Sequence, residues 1–215
     1  MCITQVPHAA SAVPPPDLTH MPAPVPTSAA PRPPSPARRL ARLAWRLLLL
    51  VLVGVAAMWA WQQPMFERPR LLWELSRMPA PDSQPVPVDG VRATQIAATF
   101  GAPRGTDRRH EGVDIFAPRG TPVRSATRGL VVAVRERGLG GRQVWVLGPA
   151  GERHYYAHLE AWAPGLATGD AVDAGTLLGT VGDTGNARGT PPHLHYGIYA
   201  AGGALDPLPR LRAAP

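Results

Sequence analysis

The chain has a single cysteine among its 215 residues, and Cys2 lies at the extreme N-terminus. One cysteine excludes an intramolecular disulfide and a zinc site built from thiolates. Cys2 also precedes the apolar segment of the chain instead of following it, so it does not resemble a lipoprotein acylation site. A metal site in this protein would therefore have to use histidine and carboxylate ligands.

Lysine is absent, and all 22 basic side chains of the Lys and Arg classes are arginines. We attribute this bias to a GC-rich genome and not to a mechanism. The formal net charge is +7, but residues 1–46 hold five arginines and one aspartate, which leaves +3 for the rest of the chain. Because the charge is concentrated beside an apolar segment, it favours a role in membrane topology, and we expect no nucleic-acid partner.

The chain also lacks an uninterrupted apolar run of the ~20 residues that a membrane span usually needs. The best candidate, Leu47–Trp61, is fifteen residues without a charge, and it lengthens if Arg46 snorkels toward the headgroups. A cleavable signal peptide is the alternative, with Val55–Ala57 as its small-residue cleavage site. We favour an uncleaved transmembrane anchor over residues 47–63, because a long tail precedes the run and Trp59 and Trp61 end it.

Positive charge before the apolar run sets the expected orientation. The arginines concerned are Arg38, Arg39, Arg42 and Arg46. The positive-inside rule keeps this flank in the cytoplasm. We therefore predict a single-pass protein of the inner (cytoplasmic) membrane, with the residues after the anchor in the periplasm.

Composition divides the remaining chain. Residues 1–46 are rich in Pro, Ala and Arg and lack apolar periodicity, which predicts a disordered tail. Residues 64–90 contain many prolines and are expected to form a semi-rigid linker, in which 71–75 form a helical turn or lie on the bilayer surface. Residues 91–215 are long enough for one folded domain.

Short strand-like segments separated by glycine turns follow Val91. Residues 129–137 and 142–148 predict a hairpin closed at 138–141, because both segments are rich in β-branched and aromatic residues. Segments 152–158, 176–181 and 193–199 predict further strands. The pattern indicates an all-β domain with an antiparallel sheet that leaves one face as a groove.

Five of the seven histidines fall between His110 and His195. A lone histidine is usually a surface or core residue, but this clustering favours a metal site. His193 and His195 lie two residues apart on a predicted strand, so their side chains point to the same face, while the apolar residues between and after them face the core. His154 shares a strand face with His158 by parity but belongs to no motif, so we expect it to be structural or exposed.

One motif match can be set aside. His110-Glu111 begins like the helical H-E-x-x-H motif of metalloproteases, whose second histidine binds zinc. Asp114 occupies the position of that histidine, and Gly112 and Pro118 oppose a helix.

The ordered motifs resemble the lysostaphin-type, or LytM-like, zinc endopeptidases that act on peptidoglycan. The resemblance covers about residues 98–207. It rests on RHEGVDI (109–115), GTPV (120–123), YAHL (156–159), GTVGDTG (179–185) and PHLH (192–195). One departure follows H-x-H, where the family often has Phe-Glu and this chain has Tyr196-Gly197. The implied fold is an antiparallel β-sheet groove domain of the duplicated hybrid motif type, preceded here by one transmembrane helix.

The resemblance implies that His110, Asp114 and His195 bind one Zn²⁺, with His158 and His193 beside it. Three protein ligands leave a fourth position for water, which is typical of a catalytic zinc site, and zinc lowers the pKa of such water to about 7. The two further histidines would then act as acid/base and oxyanion-stabilising groups, in roles left open.

The implied activity is hydrolysis of peptide cross-links in bacterial peptidoglycan, and the membrane-anchored layout favours a D,D-cross-link of a Gram-negative wall. The first alternative is a non-catalytic domain of the same fold that binds and activates another wall hydrolase. A structural wall-binding module is the second, although a closed site of four ligands would be expected for it.

Overall fold

The computed structural model describes residues 35–214. Within this range the helices are α1 (Pro36–Trp61), α2 (Glu67–Arg77) and α3 (Leu208–Ala213). The strands are β1 (Pro103–Arg104), β2 (Arg108–Arg109), β3 (Val113–Phe116), β4 (Pro122–Arg124), β5 (Gly129–Glu136), β6 (Arg142–Leu147), β7 (Arg153–Ala157), β8 (Leu159–Trp162), β9 (Ala171–Val172), β10 (Leu177–Val181), β11 (His193–Ala200) and β12 (Gly203–Leu205).

The strands form a mostly antiparallel β fold. The largest sheet has the order β12-β11-β7-β6-β5-β9, and β3 pairs with β11 on the edge that β12 also uses. A second sheet has the order β4-β10-β8, and β1 and β2 form a small hairpin. The predicted hairpin of residues 129–148 is confirmed as the β5–β6 pair. The antiparallel groove domain predicted from the sequence thus agrees with the structure in its strands.

The core contains residues from both larger sheets. β11 contributes Leu194, Tyr196 and Ile198, and β10 contributes Leu178 and Val181, all fully buried. Because the buried side chains of β11 alternate along that strand, its opposite face is left free of the core. That free face carries the histidines considered below.

The apolar segment lies in α1, a helix of 26 residues without a buried residue. It is long and apolar enough to cross a membrane. Among the described residues, two compact units meet at a point within this helix, between Leu52 and Val53. The prediction of a disordered tail over 1–46 is wrong for 36–46, which are helical; its remainder up to residue 34 lies outside the described residues. Ala, Leu and Arg are strong helix formers and Pro36 suits a first helical position, which explains the earlier start.

The proline-rich segment 64–90 packs on the domain instead of forming the semi-rigid linker predicted for it, although residues 71–75 are helical, one of the two outcomes predicted for them. α2 buries Leu71 and Leu75 against Leu130 of β5. Val88 lies in the core and forms a β-bridge with Val123. The prolines suggested an extended spacer, but they interrupt a chain with enough apolar side chains to pack on the domain. The folded region therefore begins well before residue 91.

Candidate metal centre and active site

The H-x-H segment lies in β11 as predicted. Leu194, Tyr196 and Ile198 are fully buried, whereas His193 and His195 project from the other face of the strand. The period-two interpretation of this segment is confirmed. The imidazole side chains of His193 and His195 therefore project side by side from one face of β11.

β3 brings a carboxylate to the same place. Its register with β11 sets Asp114 directly opposite His195, and Oδ1 of Asp114 lies 3.1 Å from Nδ1 of His195. His110 lies just after β2, and its Nε2 is 3.0 Å from that same carboxylate oxygen and 2.9 Å from Nδ1 of His195. One ligand atom from each of the three residues lies within 4.8 Å of the others. The structure thus brings together the three residues expected to bind metal.

The donor atoms of this group suit a cation. Nδ1 of His110 lies 2.9 Å from the carbonyl oxygen of Thr99, which can only accept, so Nδ1 carries the proton and Nε2 presents a lone pair. That lone pair faces a carboxylate oxygen and a second imidazole nitrogen. Neighbouring ligands of a tetrahedral zinc at 2.0–2.1 Å are separated by about 3.3 Å, close to the spacing of these atoms. The residues therefore fit Zn²⁺, and the bond to Thr99 is the kind that fixes a ligand histidine's tautomer.

Charge at the site is set by Asp114. Burial alone would raise the pKa of its carboxyl, but hydrogen bonds and charge attraction from His110 and His195 outweigh burial and hold that pKa well below its usual range. Burial lowers the pKa of His195. The second carboxylate oxygen, Oδ2, accepts from the guanidinium of Arg104 on β1. No sequence pattern indicated Arg104, because the β1–β2 hairpin that places it carries no recognised motif.

Gly112 is required for the approach of His195. A Cβ at position 112 would lie 2.4 Å from the carbonyl oxygen of Tyr196 and about 3 Å from two ring atoms of His195. Real Cβ atoms do not come so close to backbone oxygen. The glycine between His110 and Asp114 is therefore a steric requirement of the metal centre.

The two remaining histidines of the motif set stand beside this centre. The ring of His158 is 5.1 Å from that of His193 and 6.0 Å from that of His195, centroid to centroid. Nδ1 of His158 lies 2.8 Å from the carbonyl oxygen of Thr184, and Nδ1 of His193 lies 2.8 Å from that of Pro191. Each carbonyl accepts from Nδ1–H, so Nε2 of each neutral ring carries the lone pair.

The parity argument for His158 is wrong. β7 ends at Ala157, and His158 has a positive φ of 63°, which turns its side chain away from the alternation of the strand. Burial, the main cause, lowers the pKa of His158 to about 4. His154 lies instead in the core, where Nδ1 is 2.9 Å from the hydroxyl of Tyr196. His154 is therefore structural, one of the two outcomes expected for it.

A groove of about 840 Å³ runs over the centre and includes all five histidine and aspartate positions. One side is aromatic, since Tyr155 and Tyr199 line it. Trp145 supports both rings: it stacks on Tyr155 at 4.3 Å between ring centroids and lies 5.4 Å from Tyr199. Gly197 stands where the family often has glutamate. A side chain at this position is sterically opposed here, since its Cβ would lie 2.8 Å from the carbonyl oxygen of Glu111 and 3.0 Å from the Tyr199 ring.

Comparisons with known proteins identify the family of the region that carries this site. The sequence pattern of the family described as Peptidase family M23 matches residues 108–207. The L-Ala--D-Glu endopeptidase of Bacillus subtilis (strain 168) is 40% identical over 127 residues, which are 54% of this chain and 39% of that protein. The DD-carboxypeptidase/endopeptidase Mpg of Neisseria meningitidis is 37% identical over 119 residues, 54% of this chain and 26% of that protein.

Among solved structures, the catalytic domain of lysostaphin from Staphylococcus simulans aligns with a TM-score of 0.50 and 32% identity. The alignment covers 55% of this chain and 92% of the lysostaphin domain. The chain thus matches a whole catalytic domain, while it spans less than two fifths of the length of either curated relative.

Proposed function

Because this chain belongs to peptidase family M23, whose members include peptidoglycan endopeptidases, we propose that it is a membrane-anchored zinc metalloendopeptidase that hydrolyses peptide cross-links of bacterial peptidoglycan. The observation that carries the proposal is the convergence of His110, Asp114 and His195 on one point beneath an open groove. A domain that only binds the cell wall would not need three buried or half-buried side chains whose metal-binding atoms face a solvent-accessible pocket.

The metal ligands in this proposal are Nε2 of His110, Oδ1 of Asp114 and Nδ1 of His195. A zinc ion held there supplies a Lewis acid and hydroxide at neutral pH. Asp114 keeps its charge over the working range of the enzyme because its pKa is held low. Arg104 binds the other carboxylate oxygen and so favours coordination through Oδ1 alone.

His158 and His193 move protons in the proposed mechanism. Their Nδ1 atoms are committed to the carbonyls of Thr184 and Pro191, so only Nε2 is free to accept or donate. The pKa of His158 is lowered to about 4, which keeps this ring neutral and able to accept the proton of the attacking water. The protonated ring then stabilises the oxyanion or returns the proton to the leaving amine, and the two histidines divide these roles between them.

The proposed substrate is the stem-peptide cross-link, with a D,D bond as the preferred target. The names of the relatives include both L-Ala--D-Glu and DD activities, so the family accommodates different bonds in a similar groove. In this chain Tyr155 and Tyr199 line one side of the groove, and these two side chains would contact the peptide beside the scissile bond. Trp145 packs against both tyrosines.

The membrane part of the proposal places α1 across the inner membrane, its N-terminus in the cytoplasm and the groove domain in the periplasm. A helix of 26 residues is about 39 Å long at 1.5 Å per residue, which exceeds a hydrocarbon core of about 30 Å. The arginines before Leu47 and the tryptophans at the helix end support this orientation.

Digestion of purified sacculi with the full chain in detergent, followed by mass spectrometry of the products, tests the activity. We expect cleavage by the zinc-loaded protein alone and cleavage slower by ~10² to 10⁴ with the His158→Ala variant at equal zinc content. Products that appear only when a second wall hydrolase is added would instead support the activator alternative. The mass of the released peptides identifies the bond.

A further inference from the structure

The juxtamembrane helix α2 has two different apolar faces. Leu71 and Leu75, one helical turn apart, are 7% and 1% exposed and pack on the groove domain through Leu130. Leu72 and Trp73 belong to the same helix but are 40% and 54% exposed. The apolar content of α2 is therefore larger than its contact with the domain requires.

The exposed face continues toward the end of α1. Met65, two helical turns before Leu72, is 77% exposed, and Met78 just after the helix is 37% exposed. Exposed apolar side chains are common singly, but a group of four on one short segment indicates a surface that binds something. We call Met65, Leu72, Trp73 and Met78 the outer face of α2.

One basic residue, Arg77 in the last turn of α2, accompanies this face. Arg68 and Arg70 instead line a cavity against the domain, where the guanidinium of Arg68 lies beside Gly169. Glu74 pairs with Arg128 of the domain at 2.9 Å. The guanidinium of Arg77 lies 4.5 Å from the centre of the Trp73 ring. Exposed tryptophan and leucine side chains with an arginine beside them are typical of helices that lie in the headgroup region of a bilayer.

We propose that the outer face of α2 binds the surface of the phospholipid bilayer, with Trp73 and Leu72 inserted at headgroup depth and Arg77 on a lipid phosphate. This inference rests on the proposed membrane anchor. The chain itself provides the proximity, because only five residues, 62–66, separate Trp61 from α2 and reach at most about 20 Å when extended.

The connection is in fact compact and not extended. The rings of Trp61 and Phe66 lie 5.5 Å apart, and the backbone N–H groups of Gln63 and Phe66 donate to carbonyls three residues earlier. α2 therefore follows directly from the end of the apolar helix. Because this segment lies next to the proposed membrane helix, the bilayer is the nearest surface that its exposed tryptophan can contact.

A double attachment of α2 would fix the distance between the catalytic groove and the membrane surface. α2 is held to the groove domain by Leu71, Leu75 and the Glu74–Arg128 pair, and to the bilayer by its outer face. The catalytic groove would then act on peptide close to the membrane surface and not at the end of a long tether.

Site-directed labelling of the full chain in proteoliposomes tests this surface. Cys2→Ser removes the single native thiol, after which Leu72→Cys or Leu139→Cys carries an environment-sensitive fluorophore. Leu139 is a matched control, since it is an exposed leucine (53%) that lines the catalytic groove and not α2. Lipids bearing a nitroxide near the headgroup should quench the label at 72 more strongly than the label at 139, by about threefold or more. Aqueous iodide should quench the label at 139 more strongly than the label at 72.

Flotation of the same liposomes reports the anchor separately. If the chain floats but the two labels respond equally to nitroxide lipid, the bilayer surface is not the ligand of α2 and the anchor stands. If the label at 72 resists both quenchers and shows energy transfer between copies, a second copy of the chain covers the face and the inference is wrong. A chain that does not float overturns the anchor and this inference together.

Discussion

Asp114 and His195 lie directly opposite each other in the antiparallel pair of β3 and β11, with Oδ1 and Nδ1 3.1 Å apart. Residues 81 positions apart in the chain are thus held together by strand register. A register shift of one residue would turn one of the two side chains into the core, so the metal centre depends on the pairing of these two strands.

The first prediction concerns metal binding. His195→Ala and Asp114→Ala should each lose most of the bound zinc, because either change leaves only two protein ligands. Four-coordinate zinc sites in proteins have at least three protein ligands. Elemental analysis of purified protein measures the loss. Arg135→Gln, an exposed change on β5, serves as the control and should keep full zinc. Full occupancy in the His195 variant would exclude this residue as a ligand.

The second prediction tests the steric requirement at Gly112. Gly112→Ala should cost about 1–3 kcal/mol of unfolding free energy and weaken zinc binding, since the added methyl must displace the Tyr196 carbonyl or the His195 ring. Urea unfolding and competition with a chelator measure the two effects. Gly202→Ala, where nothing lies within 4 Å of the new methyl, is the matched control. An unchanged zinc affinity in Gly112→Ala would mean that the site tolerates the shift.

Sequence patterns predicted much of this site because its signals are local. The alternation along 193–199 identifies the strand, and the spacing of His110, Asp114 and the H-x-H pair identifies the candidate ligands. The contacts of Arg104, Thr99 and Thr184 depend instead on how distant segments fold together, so no local pattern indicates them. His158 shows the limit of parity: its positive φ at the end of β7 reverses the face that strand alternation assigns to it.

The segment before the domain shows a different limit. Proline content suggested a spacer over 64–90, yet Leu71, Leu75 and Val88 each find a buried position on the domain. Pro87 accepts a backbone hydrogen bond from Arg124, which needs only the carbonyl that proline retains. Composition therefore identified the prolines but not the apolar residues between them that decide the packing.

The third prediction concerns the anchor. N-terminal sequencing of the protein extracted from inner membranes should give a start before Leu47, because an arginine flank and terminal tryptophans favour retention of α1. Carbonate extraction of the same membranes should leave the protein in the pellet. A mature start near Met58 would instead show cleavage after Val55–Ala57 and remove the anchor.

The fourth prediction concerns acid stability and His154. Burial, helped by the charge of Arg210, lowers the pKa of His154 to about 3 from an ordinary value of 6.5. Between these values the unfolded chain binds a proton that the folded protein excludes, so stability falls as the pH drops from about 6.5 toward 3 and is unaffected above that window. The loss at the acid end is on the order of a few kcal/mol.

Urea unfolding at pH 7 and pH 4, with chelator present so that zinc release does not contribute, measures this effect. His154→Gln should lose less stability between the two pH values than the native chain. Tyr196→Phe removes the hydroxyl partner but keeps the titrating ring, so it should lose as much as the native chain. Equal losses in all three proteins would assign the acid sensitivity to other groups.

The last prediction separates proton transfer from metal binding. His158→Ala and His193→Ala should each lower turnover of cross-linked wall fragments by ~10² to 10⁴ while zinc content stays near one per chain, because neither ring supplies one of the three ligand atoms. His154→Gln is the control, since His154 of β7 lies in the core and its substitution should leave turnover at neutral pH nearly unchanged. Zinc must be measured on the assayed samples. Near-normal turnover in either variant would remove that histidine from the mechanism, and loss of zinc from His193→Ala would make His193 a ligand instead.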